Sequence, residues 1–394
     1  MSNKLNKLYK IFYLISRSPL FLIIDLGTTN IKGFLIDKNL KIYSQIFLKN
    51  KTFYPKLNWA EQNPTEWFFK IQKIIGWLSK NKNIKAIGIT GQRETIVAWD
   101  KNSGMTIYPA ILWCDQRTKE LSKKFVKLAN NIRKTTGLFW HPRYPALKIH
   151  WILNNVDNAQ ILLKQKRLAF GLPASWLVYN LSEERSFVID HTLASHSMLY
   201  NLKQNSWDKD LLNIFGIPLE TLPKIKPNFY YFGSVKIKNK KIPIFSLIGD
   251  QEASLFLYSE KPRVTKLTLG SGIFMQQDIG SQLKRNKNFE TSVALSLKKT
   301  KYMWESRFNL SGKELFQAIK NNNKSLINKF KKALKKNIKT FSPQFIYVDG
   351  GLLKQDQWGQ RVRKMLNKIS PKFVFQNPEG TALGTAKILK TNLN

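Results

Sequence analysis

The sequence predicts an α/β fold, and three observations carry that prediction. Short apolar runs alternate along the chain with stretches of helical periodicity, the mark of layered strands and helices. Glycine turns close the apolar runs at Gly27, Gly91 and Gly249, and again at residues 270–272 and 350–351. A lone carboxylate marks two of the run ends, Asp25 and Asp250. In open α/β sheets ligands sit beyond the strand ends, so turns of this kind can share one cleft.

Taken in order, "IIDLGTTNIKGFLID" (residues 23–37) reads as two β-rich runs around a Gly/Thr turn, a β-hairpin. Its turn offers an acid, two hydroxyls and backbone N–H groups freed by Gly27, the equipment for phosphate and a metal ion. It is not a Walker loop, and an ordinary hairpin with a polar turn stays open. Residues 67–79 place Phe68, Ile71, Ile74, Ile75 and Leu78 on one helical side. "IKAIGITG" then reads as a buried strand that runs into the polar turn Gln92-Arg93-Glu94. "TIVAWD" and "AILWCD" are further strand pieces, and helices are expected over residues 119–133 and 147–155. "PIFSLIGDQEASLFLYS" is again a strand, an acid at its tip, and a helix. "RVTKLTLGSGIFMQQ" holds a Gly-Ser-Gly turn between apolar runs, and "QFIYVDGGLLKQDQW" is a strand entering a double glycine and a helix. Residues 321–339 form a basic amphipathic helix with Leu326, Phe330, Leu334 and Ile338 in line. "EGTALGTAKIL" starts a helix of small residues.

Composition excludes several classes. With 43% hydrophobic and 12% aromatic residues over 394 positions, the chain can bury a large core and is not disordered. Cys114 is the single cysteine, so no intramolecular disulfide forms and a reducing, cytoplasmic setting is expected. The formal charge of +40 would attract nucleic acid or an anionic surface. The lysines are scattered, however, and neither zinc-finger spacing nor an RNP-type strand occurs, so no specific nucleic-acid partner is expected. The first twenty residues carry Lys4, Lys7, Lys10 and Arg17 without an acid. They are read as an N-terminal extension, because "IFYLIS" is too short for a signal h-region. No run approaches the ~20 apolar residues of a transmembrane helix.

Read together, these stretches resemble the FGGY carbohydrate kinases, the glycerol kinases most closely. The matching pieces stand in family order: "IDLGTTNIKGFLID", "NWAEQNPTEW", "GITGQRETIVAWDKNSGMTIYPAILWCDQRT", "KIHWILNN", "PASWLVYNLS", "IGDQEASLF", "LGSGIF", "VDGGLLKQDQW" and "GTALGTA". The resemblance covers residues 20–312 and 344–394 and implies two ribonuclease-H-like domains around a cleft, as in actin and hexokinase. It divides the chain into an extension (1–19), a sugar-binding domain (20–245) and a shortened nucleotide-binding domain (246–394). It implies phosphoryl transfer from ATP, with Mg²⁺, to a hydroxyl of glycerol or a related small polyol or sugar; homo-oligomerisation stays open.

The resemblance also implies roles. Asp25 would help hold Mg²⁺, and Gly27, Thr28, Thr29 and Ser271 would touch the phosphates. Gly350, Gly351 and Gln355 would line the adenine side. Asp250 would be the catalytic base and would also touch the acceptor; as a residue alone it could equally cap the helix that follows. Arg93 and Glu94 would hydrogen-bond the acceptor hydroxyls, a donor-rich fork beside an acceptor carboxylate; alone they could be a surface ion pair. Trp113 and Phe274 would be apolar walls, and Gln251 a further polar contact.

Two departures stand out. Relatives carry a long segment with a glycine-rich, aromatic loop where this chain has only residues 313–342, rich in Lys and Asn. "HPRYPALK" puts Arg143 where glycerol kinases place a substrate-facing Tyr, with Tyr144 one position on. Arg143 is therefore expected to reach the acceptor pocket and shift specificity away from simple glycerol, where it would either meet an acceptor with more oxygens or pair with an internal acid; alternatively it points to solvent and Tyr144 takes the phenol's place. Two other function classes remain beside the kinase: a family-like binding protein without turnover, and a basic protein of nucleic-acid or membrane surfaces.

Overall fold

The computed structural model describes residues 19–260, 263–353, 356–375 and 379–393. The extension expected over residues 1–19 lies outside the described residues except for Pro19, and so does Gln355.

Two mixed six-stranded sheets face each other across a cleft. The first uses β1 (Leu20–Leu26), β2 (Asn30–Asp37), β3 (Ile42–Lys49), β4 (Ile84–Gly91), β5 (Ser234–Ile237) and β6 (Lys240–Gly249), in the order β5-β6-β4-β1-β2-β3. The second uses β7 (Thr265–Leu269), β8 (Gly272–Gly280), β9 (Glu290–Ser296), β10 (Thr300–Ser311), β11 (Ile346–Asp349) and β12 (Phe373–Phe375), in the order β9-β10-β8-β7-β11-β12. The sheets repeat one plan. β1-β2-β3 and β7-β8-β10 are antiparallel ladders, while β4 then β6, and β11 then β12, add on in parallel. The β1–β2 and β7–β8 turns are therefore equivalent places in the two halves.

Side-chain alternation in β1 explains why it is central. Leu22, Ile24 and Leu26 join one core cluster and Phe21 and Ile23 another, so both faces are covered. The first face packs on α1 (Pro64–Ser79), which Asn63 caps by accepting from the Thr65 N–H. The helix expected from residue 147 begins two residues earlier, as α2 (Pro145–Asn155), because proline fits the first helical position. The helix expected over residues 119–133 is broken into Lys119–Lys123, a 3₁₀ turn at Val126–Leu128 and Ala129–Thr136. Its asparagines and sparse apolar residues give no continuous face to hold it straight. This half also contains α3 (Pro173–Leu181) and α4 (His191–Ser195), beside the helices Asp157–Lys164 and Lys209–Phe215.

The second half contains α5 (Asp250–Phe256), α6 (Gly312–Lys320), α7 (Lys324–Phe341), α8 (Gln357–Asn367) and α9 (Gly380–Leu393). The basic helix expected over 321–339 is α7, capped by Asn323. Phe330, Leu334 and Phe341 bury their side chains with Leu267 and Met275 of the second sheet and with Phe289, which directly precedes β9. Residues 313–342 thus close this sheet's own core. The last helix, α9, returns to the first sheet, where Ala382, Ala386 and Leu389 cover Phe21, Ile23 and Phe34. It meets α5 at Gly384, where a Cβ would stand 1.8 Å from the Ala253 carbonyl oxygen, so only glycine permits that approach. No described helix is long and apolar enough to cross a membrane.

Candidate active site

The strand ends place most of the expected residues around one cavity of about 620 Å³. Asp25, Gly27, Thr28, Thr29, Arg93, Glu94, Trp113, Asp250, Gln251, Ser271, Phe274 and Gly351 all line it. Gly350 sits behind it against the Leu269 backbone.

One end is built from the two equivalent hairpin turns. Thr29 Oγ1 of the first and Ser271 Oγ of the second face each other at 3.4 Å. The second turn lies flat against the start of α6, where a Cβ on Gly312 would come within 1.9 Å of the Gly270 carbonyl oxygen. Two hydroxyls and glycine-lined backbone at this end suit a phosphate chain. Asp25, at the end of β1, is buried, with Lys32 Nζ 3.8 Å away. Burial pushes its pKa up to about 7 against the opposing pull of Lys32, with Asp250 and Glu379 adding to the rise. A buried carboxylate so disposed favours a cation beside it. No group of three acid, His or Cys side chains among the described residues could hold a metal alone. The donor set fits an ion such as Mg²⁺, which binds through one or two carboxylates, water and substrate phosphates.

The middle of the cleft holds Asp250 as the first residue of α5. Gly249 is the N-cap and no side chain caps the helix, so the capping role open to Asp250 in the sequence is not the one it takes. Burial raises its carboxyl pKa, Arg93 opposes the rise and Glu252 adds to it. Gln251 Oε1 accepts from Thr268 Oγ1 at 3.0 Å. Trp113 Nε1 donates to Thr28 Oγ1 at 3.0 Å, which ties the aromatic wall to the phosphate turn.

The floor is a buried ion network. Arg93 and Glu94 are not a surface pair: both are buried, and each is held by other partners. Arg93 Nη1 reaches Glu252 at 2.7 Å, Glu305 at 2.8 Å and His196 Nε2 at 2.9 Å, while its Nε lies 3.8 Å from Asp250 Oδ1. Glu94 is gripped by the Arg307 fork, with Arg143 Nε at 3.4 Å and His196 Nδ1 at 3.6 Å. Burial opposes ionisation of Glu94, yet Arg307, His196 and Arg143 hold its carboxyl well below the usual range. Burial and Arg93 push His196 down, but Glu252 and Glu94 outweigh them and hold its pKa above the ordinary value. The Glu94 backbone sits at φ +64°, the left-handed region, where a side chain of this size is strained. Lys148 secures that bend from below by donating to the carbonyls of Glu94 at 2.9 Å and Leu112 at 2.6 Å. The lysine of "KIHWILNN" thus positions the loop.

Arg143 takes the second course open to it in the sequence. Its guanidinium pairs with Glu290 at 2.9 Å and approaches Glu94, and Tyr144, fully buried, donates its hydroxyl to Glu290. Neither residue is among those lining the cavity. The guanidinium that lines it beside that of Arg93 is Arg307's. Sequence reasoning missed Arg307, Glu252, Glu290, Glu305 and His196. The signal for two of them was "ESR" in β10, where period-2 alternation puts Glu305 and Arg307 on one face.

Comparison with known proteins agrees with this layout. Residues 20–256 match the family model for the N-terminal domain of the FGGY family of carbohydrate kinases. The glycerol kinase of Leptospira biflexa is 37% identical over 302 residues, covering 73% of this chain and 61% of that protein. The chain therefore spans less than two thirds of that relative's length. A Plasmodium falciparum glycerol kinase solved with ADP superposes with a TM-score of 0.83 over 96% of this chain and 90% of that one, at 23% identity. A xylulose kinase from Lactobacillus acidophilus gives 0.79 over 95% and 90%, at 19% identity. At those identities the two structures speak to the fold, which is the two-sheet, cleft-forming architecture described above. On the family model and the site's own layout, this chain belongs to the FGGY family of carbohydrate kinases.

Proposed function

We propose that the chain phosphorylates a hydroxyl of glycerol or a related small polyol or sugar, with ATP as donor and Mg²⁺ as cofactor, in the cytoplasm. One observation supports this most. A half-buried carboxylate at a strand tip, Asp250, shares a single cavity with the facing Thr29 and Ser271 hydroxyls and with Asp25. Phosphoryl transfer needs positioning, charge neutralisation and one acceptor for the hydroxyl proton, and little else from the protein.

In this reading Thr28, Thr29, Ser271 and the Gly27 turn hold the phosphates, and Gly350 and Gly351 lie toward the adenine. Asp25 would hold the metal ion, which would supply neutralisation of the phosphate charge. Asp250 takes the proton from the acceptor hydroxyl as its oxygen bonds to the terminal phosphorus and ADP departs. Arg93 donates to the acceptor beside Asp250, and Trp113 and Phe274 confine its carbon chain. Gln251 adds a polar contact, and Glu94 and Arg143 shape the pocket floor.

A second reading is a binding protein without turnover. It is favoured by residues 313–342, where two lysine-rich helices stand in place of the glycine-rich loop that the resemblance leads one to expect. An ADP-release assay on a polyol and ketose panel separates the two. The kinase reading expects acceptor-dependent ADP release that is lost in Asp250→Asn, and a higher melting temperature with ATP and Mg²⁺. No thermal shift at millimolar ATP with acceptor present would support the second.

A further inference from the structure

Arg307 projects from β10 into the cleft with its side chain 14% exposed, beside Arg93, Asp250, Trp113 and Phe274. Its guanidinium carbon lies 5.1 Å from the centre of the Phe274 ring, and that of Arg93 lies 5.6 Å from the same ring. Arg307 Nη1 donates to Glu94 Oε2 at 3.2 Å and Nη2 donates to Oε1. Its Nε stands 2.9 Å from Glu305 and 3.3 Å from Glu290. A carboxylate has about four lone-pair sites. At Glu94 the Arg307 fork takes two, and Arg143 and His196 flank the rest. Both Glu94 oxygens are thus engaged by the Arg307 fork, and with Arg143 Nε at 3.4 Å and His196 Nδ1 at 3.6 Å an acceptor hydroxyl must compete with charged donors to place its proton there.

The consequence depends on what the acceptor offers. A hydroxyl must donate as well as accept, and a buried donor without a partner is costly. A carbonyl oxygen has no proton to place and only accepts, which suits two guanidinium groups side by side. Charge does not call for an anion. Arg93, Arg143, Arg307 and His196 face Glu94, Glu252, Glu290, Glu305 and Asp250, so no positive surplus remains.

We propose that Arg307 is a specificity-determining residue: by occupying Glu94 it turns that wall of the acceptor pocket into a donor surface, and the acceptor is a neutral carbonyl-bearing triose or ketose rather than the corresponding polyol. This rests on the kinase reading for the reaction, but the preference itself is a matter of binding.

Matched pairs test it, dihydroxyacetone against glycerol and ribulose against ribitol, by kcat/KM and by calorimetric binding without nucleotide. Wild-type protein should prefer the ketone in each pair on the order of tenfold or more, the size expected when a site leaves one polar group unpaired. Arg307→Ala frees Glu94 and should shift the ratio at least tenfold toward the alcohol, with the KM for ATP unchanged. Arg307→Lys, which keeps the charge but not the fork, should shift it the same way by less, and serves if the alanine variant does not fold. Equal or better use of the alcohol by wild type overturns the proposal, as does an unchanged ratio in a folded variant. Ketone-selective binding without turnover would leave the proposal standing and sink the kinase reading. Turnover of glycerol with no ketone preference would do the reverse.

Discussion

Arg93 Nε stands 3.8 Å from Asp250 Oδ1, while the other edge of the same guanidinium is locked by Glu252, Glu305 and His196. The arginine is anchored from beneath, so its position relative to Asp250 does not depend on the acceptor. Asp250→Asn removes the proton acceptor and leaves this frame in place. Turnover should fall by about 10²–10⁴, while ATP still raises the melting temperature. Near-normal turnover in that variant would end the assignment of Asp250 as base.

The same contact sets a pH dependence. Burial raises the Asp250 carboxyl pKa, Arg93 pulls it down, and the like charge of Glu252 pushes it up, with a net rise. A base works ionised, so activity should climb with pH through a value above the ~3.9 of an ordinary aspartate. Glu252→Gln removes one upward push and leaves Arg93 freer to favour the ionised form. The acid limb of kcat/KM should move to lower pH, and an unmoved or higher limb would contradict the electrostatic account.

The ion network should also matter for stability. Glu252 and Glu305 have fully buried side chains, and both rely on Arg93. Arg93→Met strands two carboxylates, and breaking a buried pair in this way costs about 3–5 kcal/mol. Urea midpoints at pH 7 would show it, and a loss under ~1 kcal/mol would mean that Arg307 and His196 carry the charge balance alone.

This network marks the limit of what the sequence could tell. Asp25, Asp250 and the glycine turns were legible because strand tips and tight turns are local patterns, read from a few neighbouring residues. The α7 stripe was legible for the same reason. The partners of Arg93 and Glu94 were not. Glu290 and Glu305 lie directly opposite each other in the β9–β10 ladder, and like charges so placed are unfavourable without a cation between them. That demand for arginine is plain once the register is known, but register between strands is a tertiary fact. Arg143 showed the difference between position and direction. Its place in the motif was readable, whereas its pairing with Glu290, a residue of the second sheet, was not.

A second pH effect comes from Asp190, buried at the N-cap of α4. It accepts from the Thr192 N–H at 2.7 Å, the Leu193 N–H at 3.2 Å and Asn228 Nδ2 at 2.9 Å. Burial outweighs these bonds and lifts its pKa to about 7. A carboxyl raised in the folded state contributes stability that is complete below its unfolded value near ~3.9, and that is lost as pH rises through about 7. Asp190→Asn removes the proton from this balance. Wild type should lose on the order of a few kcal/mol relative to the variant between pH 4 and 8. Parallel stability curves for the two proteins would rule this out.

The phosphate end can be tested through backbone space alone. Gly312 opens α6 directly after Ser311, whose side chain accepts from the Glu314 N–H in a capping box, so its position is fixed by the helix behind it. A Cβ there would sit 1.9 Å from the Gly270 carbonyl oxygen. One side must yield, and the capped helix is the stiffer. Gly312→Ala should therefore push the 270–272 turn toward Thr29, whose hydroxyl already stands 3.4 Å from that of Ser271. The acceptor residues Arg93 and Asp250 are held by their own network and should not move. The KM for ATP should rise about tenfold, since misplacement near 1 Å carries penalties of that order or larger, with the acceptor KM unchanged. Equal increases in both would point to a general loosening of the second sheet, and no increase in either would separate the 270–272 turn from nucleotide binding.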